Sequence, residues 1–182
     1  QYYAGLAMER QFGPKRGRAI MDKNARMNYV LYRIIGGPDG PAALPVQAFP
    51  SSLAYAAVVY GKAPYLYISL EEEVGRPRLL AALKALIRGR RFGMVTAETW
   101  FRALEAQLHH PGTGSLVQRW LHQRHGDEDL QVDLTGQTLM KEVLGPQMGR
   151  DFSQAMALLG MTPADLFRLL MGTAPGSFSA PT

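Results

Sequence analysis

The sequence predicts an all-α fold, and three observations carry that expectation. Apolar residues recur every three to four positions in long runs. No stretch alternates apolar and polar residues over the length of a strand. The runs are closed by glycine and proline, placed where helices stop and start. With 182 residues, 47% of them hydrophobic, the chain is long enough for one domain with its own core.

In order, the first helix covers Gln1 to Phe12, with Tyr3, Leu6, Ala7 and Arg10 on a helical period and Gly13-Pro14 as the stop. A long helix follows from Lys15 to Ile35, with Ala19, Met27, Val30, Leu31 and Ile34 as its apolar stripe and Gly36-Gly37-Pro38 at its end. Asp39 to Ser52 reads as an ordered, proline-rich connection. Pro64 fits the first turn of a helix, so the next helix is expected from near Lys62 to Gly75. Arg76 to Arg88 is helical, and Gly89 to Gly93 is a basic turn. Thr96 caps a helix that runs to Leu108 and buries Trp100, Phe101 and Leu104. Ser115 is expected to cap a helix through His125 containing Trp120. Two short helices, Gln137 to Leu144 and Asp151 to Leu159, are split by Gly145-Pro146. Thr162-Pro163 starts a last helix that ends at Gly172. The organisation expected is a helical lobe over 1–125, further short helices packed on it over 126–172, and a flexible Pro/Gly/Ser tail over 173–182. No internal repeat is evident.

Composition narrows the function classes. The chain has no cysteine, which excludes disulfides and thiolate metal sites. It begins with Gln1 and is read as a fragment or a processed product. No apolar run reaches the length of a membrane span, since the longest, from Leu53, is interrupted by Lys62 and Pro64. The formal charge is +5. The positive residues fall in two groups, Lys15 to Arg33 and Arg76 to Arg91, spaced as solvated helix faces without the interleaved aromatics of a base-stacking surface. No nucleic-acid partner is expected.

The stretch from Tyr55 to Leu70 carries the chemistry. Tyr55 and Tyr60 lie five apart, followed by Gly61 and Lys62, and then by an apolar run that ends in three glutamates and Gly75. In one continuous α-helix the two tyrosines would point roughly 140° apart, at about 100° per residue. A break between them would bring both hydroxyls together. The plain alternative is that both are core residues with a wet hydroxyl.

The segment Tyr55, Tyr60, Lys62, Ala63, then Leu66, Leu70 and Gly75, resembles one found in zinc aminopeptidases of the gluzincin clan, the family of membrane alanyl aminopeptidase. Their pattern is an aromatic residue, four others, Tyr, one other, Lys and Gly or Ala, running into an apolar helix that ends in Gly. Ala63 stands here where Gly is commoner, and Pro64 is unusual. Gly93-Met94-Val95-Thr96 ahead of a Thr-capped helix matches the order of elements in that family, and Gln1-Tyr2 matches the end of its Glu-Gly-x-Ala-x-Tyr run. The resemblance covers roughly two thirds of the chain and fades after Trp120.

It implies the helical C-terminal lobe of a thermolysin-like metallopeptidase catalytic domain. Tyr60 would stabilise the oxyanion and Tyr55 would be auxiliary. Zinc would belong to the intact parent enzyme, with its ligands upstream of Gln1 and none in this chain. The partners implied are the N-terminal half of the same catalytic domain and a peptide substrate, and the isolated chain would be inactive. The alternative is a helical scaffold or protein-interaction domain without catalysis.

Other motifs point nowhere so specific. No His-Glu-x-x-His occurs. His122 and His125 could share a helix face, but no third ligand converges on them. Asp127, Glu128 and Asp129 lack calcium-loop spacing and read as a solvated turn. Gly112-Thr113-Gly114-Ser115 has no lysine in place for a phosphate loop.

Overall fold

A computed structural model describes residues 1–172, and every regular element among them is helical. The expected tail, 173–182, lies outside the described residues.

Helices α1 (Tyr2–Phe12) and α2 (Pro14–Ile34) form a hairpin with Gly13 alone as its corner. Gly13 has φ 86°, a region costly for any residue with a Cβ, and Pro14 takes the first position of α2, where its missing N–H costs nothing. The length of α2 makes it the wall shared by three cores. Met21, Ala25 and Tyr29 face the main core. Val30 and Ile34 face a smaller one closed by Leu139 and Ala164. Tyr32 packs with Ala54 and Ala57.

A proline-rich connection with one 3-10 turn, Val46–Ala48, leads to Ser51, whose Oγ caps α3 (Ser52–Tyr55) by accepting from Ala54 N at 3.1 Å. The chain then widens into a π-helical turn, Ala56–Lys62, before α4 (Tyr65–Val74). Helix α4 buries Leu66, Ile68 and Leu70 and contacts α1 as well as α5 (Arg76–Gly89). Helix α6 (Ala97–Leu108) packs on α5 and buries Leu104 and Leu108, while Trp100 and Phe101 stay half-buried. Thr96 and Thr99 cap the start of α6 reciprocally.

Then come α7 (Thr113–Val117), a second π-helical turn, Gln118–His122, and the short α8 (Gly126–Asp129). Helices α9 (Gln137–Leu144) and α10 (Pro146–Leu158) form a second hairpin, and α11 (Pro163–Leu170) touches α2 and α9. Thr162 and Asp165 form a capping box at the start of α11.

Four boundaries differ from the sequence-based expectation. The helix expected from Lys62 is replaced by an earlier start at Ser52, a π turn and a restart at Tyr65. Ala63 N–H closes the last π bond to Val58 O at 2.9 Å. Pro64, the next residue, has no N–H, so the ladder changes register there without leaving a donor unpaired. Thr113, not Ser115, begins the following helix, which ends at His122 instead of His125. The second helix of the later pair begins at Pro146, ahead of Asp151, because proline suits the first helical position.

Candidate functional site

The π-helical turn decides where the tyrosines go. Its i→i+5 hydrogen bonds place residues five apart one above the other, where an α-helix would splay them. The ring centroids of Tyr55 and Tyr60 are 5.7 Å apart at an interplanar angle of 81°, and Phe49 meets the other side of Tyr55 at 5.3 Å and 82°. The neighbouring Tyr60 hydroxyl raises the pKa of Tyr55. Tyr60 is 44% exposed, so its phenol is accessible rather than buried. Convergence therefore comes from a widened helix, and not from the chain break expected.

The two residues after Tyr60 anchor the turn. Gly61 lies against α2: a Cβ there would stand 2.9 Å from Tyr29 N and 3.1 Å from Ala25 O. Lys62 is fully buried. Its ammonium donates to Asp39 Oδ1 at 2.8 Å, Gln123 O at 2.8 Å and Gly40 O at 3.1 Å, which uses all three protons. The other oxygen of Asp39 accepts from Gly126 N at 2.9 Å. Beside this pair the Tyr29 hydroxyl donates to Asp127 Oδ1 at 3.1 Å. Burial, followed by the charges of Asp39 and Asp127, pushes the Tyr29 phenol far up and keeps it protonated. Arg33 grips Asp127 with two bonds, at 2.7 and 2.6 Å.

A groove of about 400 Å³ opens beside Tyr60. Tyr2, Tyr3, Tyr67, Trp100 and Phe101 line it with Tyr60. Tyr2 stacks on Tyr67 at 5.7 Å, and Trp100 Nε1 donates to the Tyr67 hydroxyl at 3.2 Å. The lining is dominated by aromatic and aliphatic surface, and the N-terminal Gln1 lies at its edge.

The other sequence candidates separate. His122 ends the second π turn, whereas His125 precedes α8 and pairs with Glu128 at 3.0 Å, so the two do not share a helix face. Among the described residues no group of three His, Asp or Glu is placed to hold a metal ion. The acidic run is not a solvated turn: Asp127 serves Arg33 and Tyr29, and Asp129 takes Arg119 at 2.8 Å. Sequence reasoning missed Asp39 and Asp127. The one available signal was Lys62 itself, a cation in an apolar stretch that needs a carboxylate partner if buried. Tyr29 and Arg33, four apart on α2, gave a weaker hint that an acid faces that side.

No protein-family model matches the chain, and neither a curated protein nor a solved structure does.

Proposed function

We propose that this chain is the helical C-terminal part of a zinc aminopeptidase catalytic domain, in which Tyr60 donates a hydrogen bond to the oxyanion formed at the scissile carbonyl. The observation that carries the reading is the π-helical turn. It sets Tyr55 and Tyr60 edge to face and leaves Tyr60 partly exposed at the mouth of an apolar groove. A pair of core tyrosines would have no use for an uncommon helical turn whose effect is to present one of them; such turns concentrate at functional sites.

Among the described residues no group of three His, Asp or Glu is placed to hold zinc. The metal of such a peptidase would be held outside this chain and would supply Lewis-acid activation of water and carbonyl. This chain's part is narrower. The Tyr60 phenol would present an O–H where negative charge develops, and a donor aimed there lowers the barrier without tightening substrate binding. Tyr55 abuts Tyr60 and limits its rotation. The rest of the catalytic domain is the partner proposed for the aromatic groove, and the isolated chain is proposed to be inactive.

Steady-state kinetics of Tyr60→Phe test this in the protein that carries the chain together with its zinc-binding portion, using an aminoacyl chromogenic substrate. The variant keeps the ring and loses the hydroxyl. The expected result is a fall in kcat of about 10²–10³, with KM and melting temperature near parental. Tyr55→Phe is expected to cost less. A Tyr60→Phe protein with parental kcat would leave the tyrosine pair as packing and favour the scaffold alternative.

A further inference from the structure

A buried ammonium two residues from the reacting hydroxyl calls for a reason. An apolar residue of similar volume fills such a space at least as stably as an ion pair, and the best-attested use of a buried pair is to fix register. Here the register at stake is that of the π turn. We infer that Lys62, held by Asp39, is the positioning residue that keeps the turn π-helical and thereby sets the place of Tyr60. The inference rests on the reading of Tyr60 as the oxyanion donor.

The geometry supports it in three ways. Lys62 is the last residue of the π turn and has no exposed surface. Its three acceptors belong to two separate segments, the 39–40 connection and Gln123. Relaxing the turn to α geometry would rotate Lys62 against α3 by a large part of the roughly 100° that separates successive helical residues, and carry the ammonium off all three acceptors. Tyr60 would turn with it, away from Tyr55.

Gln123 adds a second link. Its N–H closes the other π turn by bonding Gln118 O at 3.1 Å, while its own carbonyl accepts from Lys62. One ammonium thus fastens the ends of both widened turns. Gly126 permits the arrangement, since a Cβ there would stand 2.3 Å from the Tyr29 hydroxyl and 3.0 Å from Lys62 Cδ.

Two variants of the full chain test the inference by NMR. Lys62→Met removes the cation; Lys62→Met with Asp39→Asn removes both charges and leaves no lone carboxylate in the core. The readouts are the ring-to-ring Overhauser contact of Tyr55 with Tyr60 and the amide exchange of Ala63, whose N–H closes the π turn, each referred to the amide of Leu79 in the main core. The expected result in both is loss of the ring contact and exchange at Ala63 about 10- to 100-fold faster relative to Leu79. A double variant that keeps the contact and the relative protection of Ala63 overturns the inference, whatever the kinetics. In the parent peptidase Lys62→Met is expected to match Tyr60→Phe, with kcat lowered and KM unchanged. If Tyr60→Phe proves silent while the NMR changes appear, the oxyanion role fails and the positioning role stands.

Discussion

Glu71 sits where an acid is a liability, in the last turn of α4 and facing the negative end of the helix dipole. It is kept because four elements meet on it. It accepts from Tyr2 of α1 at 2.5 Å, from Arg18 of α2 at 3.0 Å and from Arg76 of α5 at 2.9 Å. Burial alone would raise its pKa, but the bonds from Arg76, Tyr2 and Arg18 prevail and hold it below the ordinary 4.5. A depressed folded value means that unfolding takes up a proton in acid. The contribution is therefore whole above pH 4.5 and is lost as pH falls through the folded value. Glu71→Gln is expected to cost about 1.5–3 kcal/mol at neutral pH, the range for hydrogen bonds to charged groups. Urea titrations of parent and variant between neutral and acid pH check this. Their stability difference should shrink as the pH drops, and a gap that stays constant would show that the charge is not what matters. None of this was legible in the glutamate run itself. Tyr2, Arg18 and Arg76 lie 69, 53 and 5 residues away in sequence, and only the fold brings them together.

Among the elements, the two hairpins use one corner twice, although the sequence shows no repeat of whole units. Gly13-Pro14-Lys15-Arg16-Gly17 and Gly145-Pro146-Gln147-Met148-Gly149 both read Gly-Pro-x-x-Gly. The first glycine turns the chain at positive φ, 86° and 85°, and the proline opens the second helix. The last glycine lets that helix lie against the backbone of the first. A Cβ on Gly17 would stand 2.2 Å from Glu9 N, and one on Gly149 would stand 2.6 Å from Lys141 Cα. Backbone cannot yield as a side-chain tip can. Gly149→Ala is thus expected to destabilise by about 1–3 kcal/mol or more, as overpacking does, despite the better helix propensity of alanine. Chemical denaturation measures it, and a variant that gained stability would show that the helices separate freely. Helix ends marked by a C-terminal Gly or by Thr-x-x-Asp were readable because the signal is local: Gly75 and Thr162 stand where expected. The π turns were not, because nothing in Ala56 to Lys62 forbids an α-helix. The widening is tied to Lys62 and the distant Asp39 and Gln123.

At the scale of the molecule, the positive charge divides: Lys15, Arg16, Lys23, Arg78, Lys84, Arg88, Arg90 and Arg91 stay exposed, as expected of solvated faces, while Arg18, Arg26, Arg33 and Arg76 turn to partners within the fold. Arg33 holds Asp127, Arg76 binds Glu9 and Glu71, and Arg26 reaches Leu130 O at 3.0 Å and Gln131 O at 3.2 Å. These bonds fasten α1, α4 and α5 together and tie the segments after Val117 to α2. The aromatic groove beside Tyr60 is a surface without such ties, and its occupancy separates the peptidase reading from a free-standing helical domain. The chain has two tryptophans, and they sit on opposite sides of this question. Trp120 is 5% exposed, stacked on Tyr65 at 5.6 Å. Trp100 is half-buried and lines the groove. Trp120→Phe leaves Trp100 as the sole indole while keeping an aromatic ring against Tyr65. In that variant of the isolated chain, iodide should quench the Trp100 emission readily, since an anion meets an open groove with no nearby carboxylate in its lining. In the larger protein proposed, the zinc-binding portion covers the groove, and the quenching constant should fall severalfold. Exposed apolar surface of this kind is normally covered in the working assembly. Equal quenching in both would mean that the groove stays open to solvent, and the proposed packing of the rest of the catalytic domain against Tyr3, Trp100 and Phe101 would be wrong.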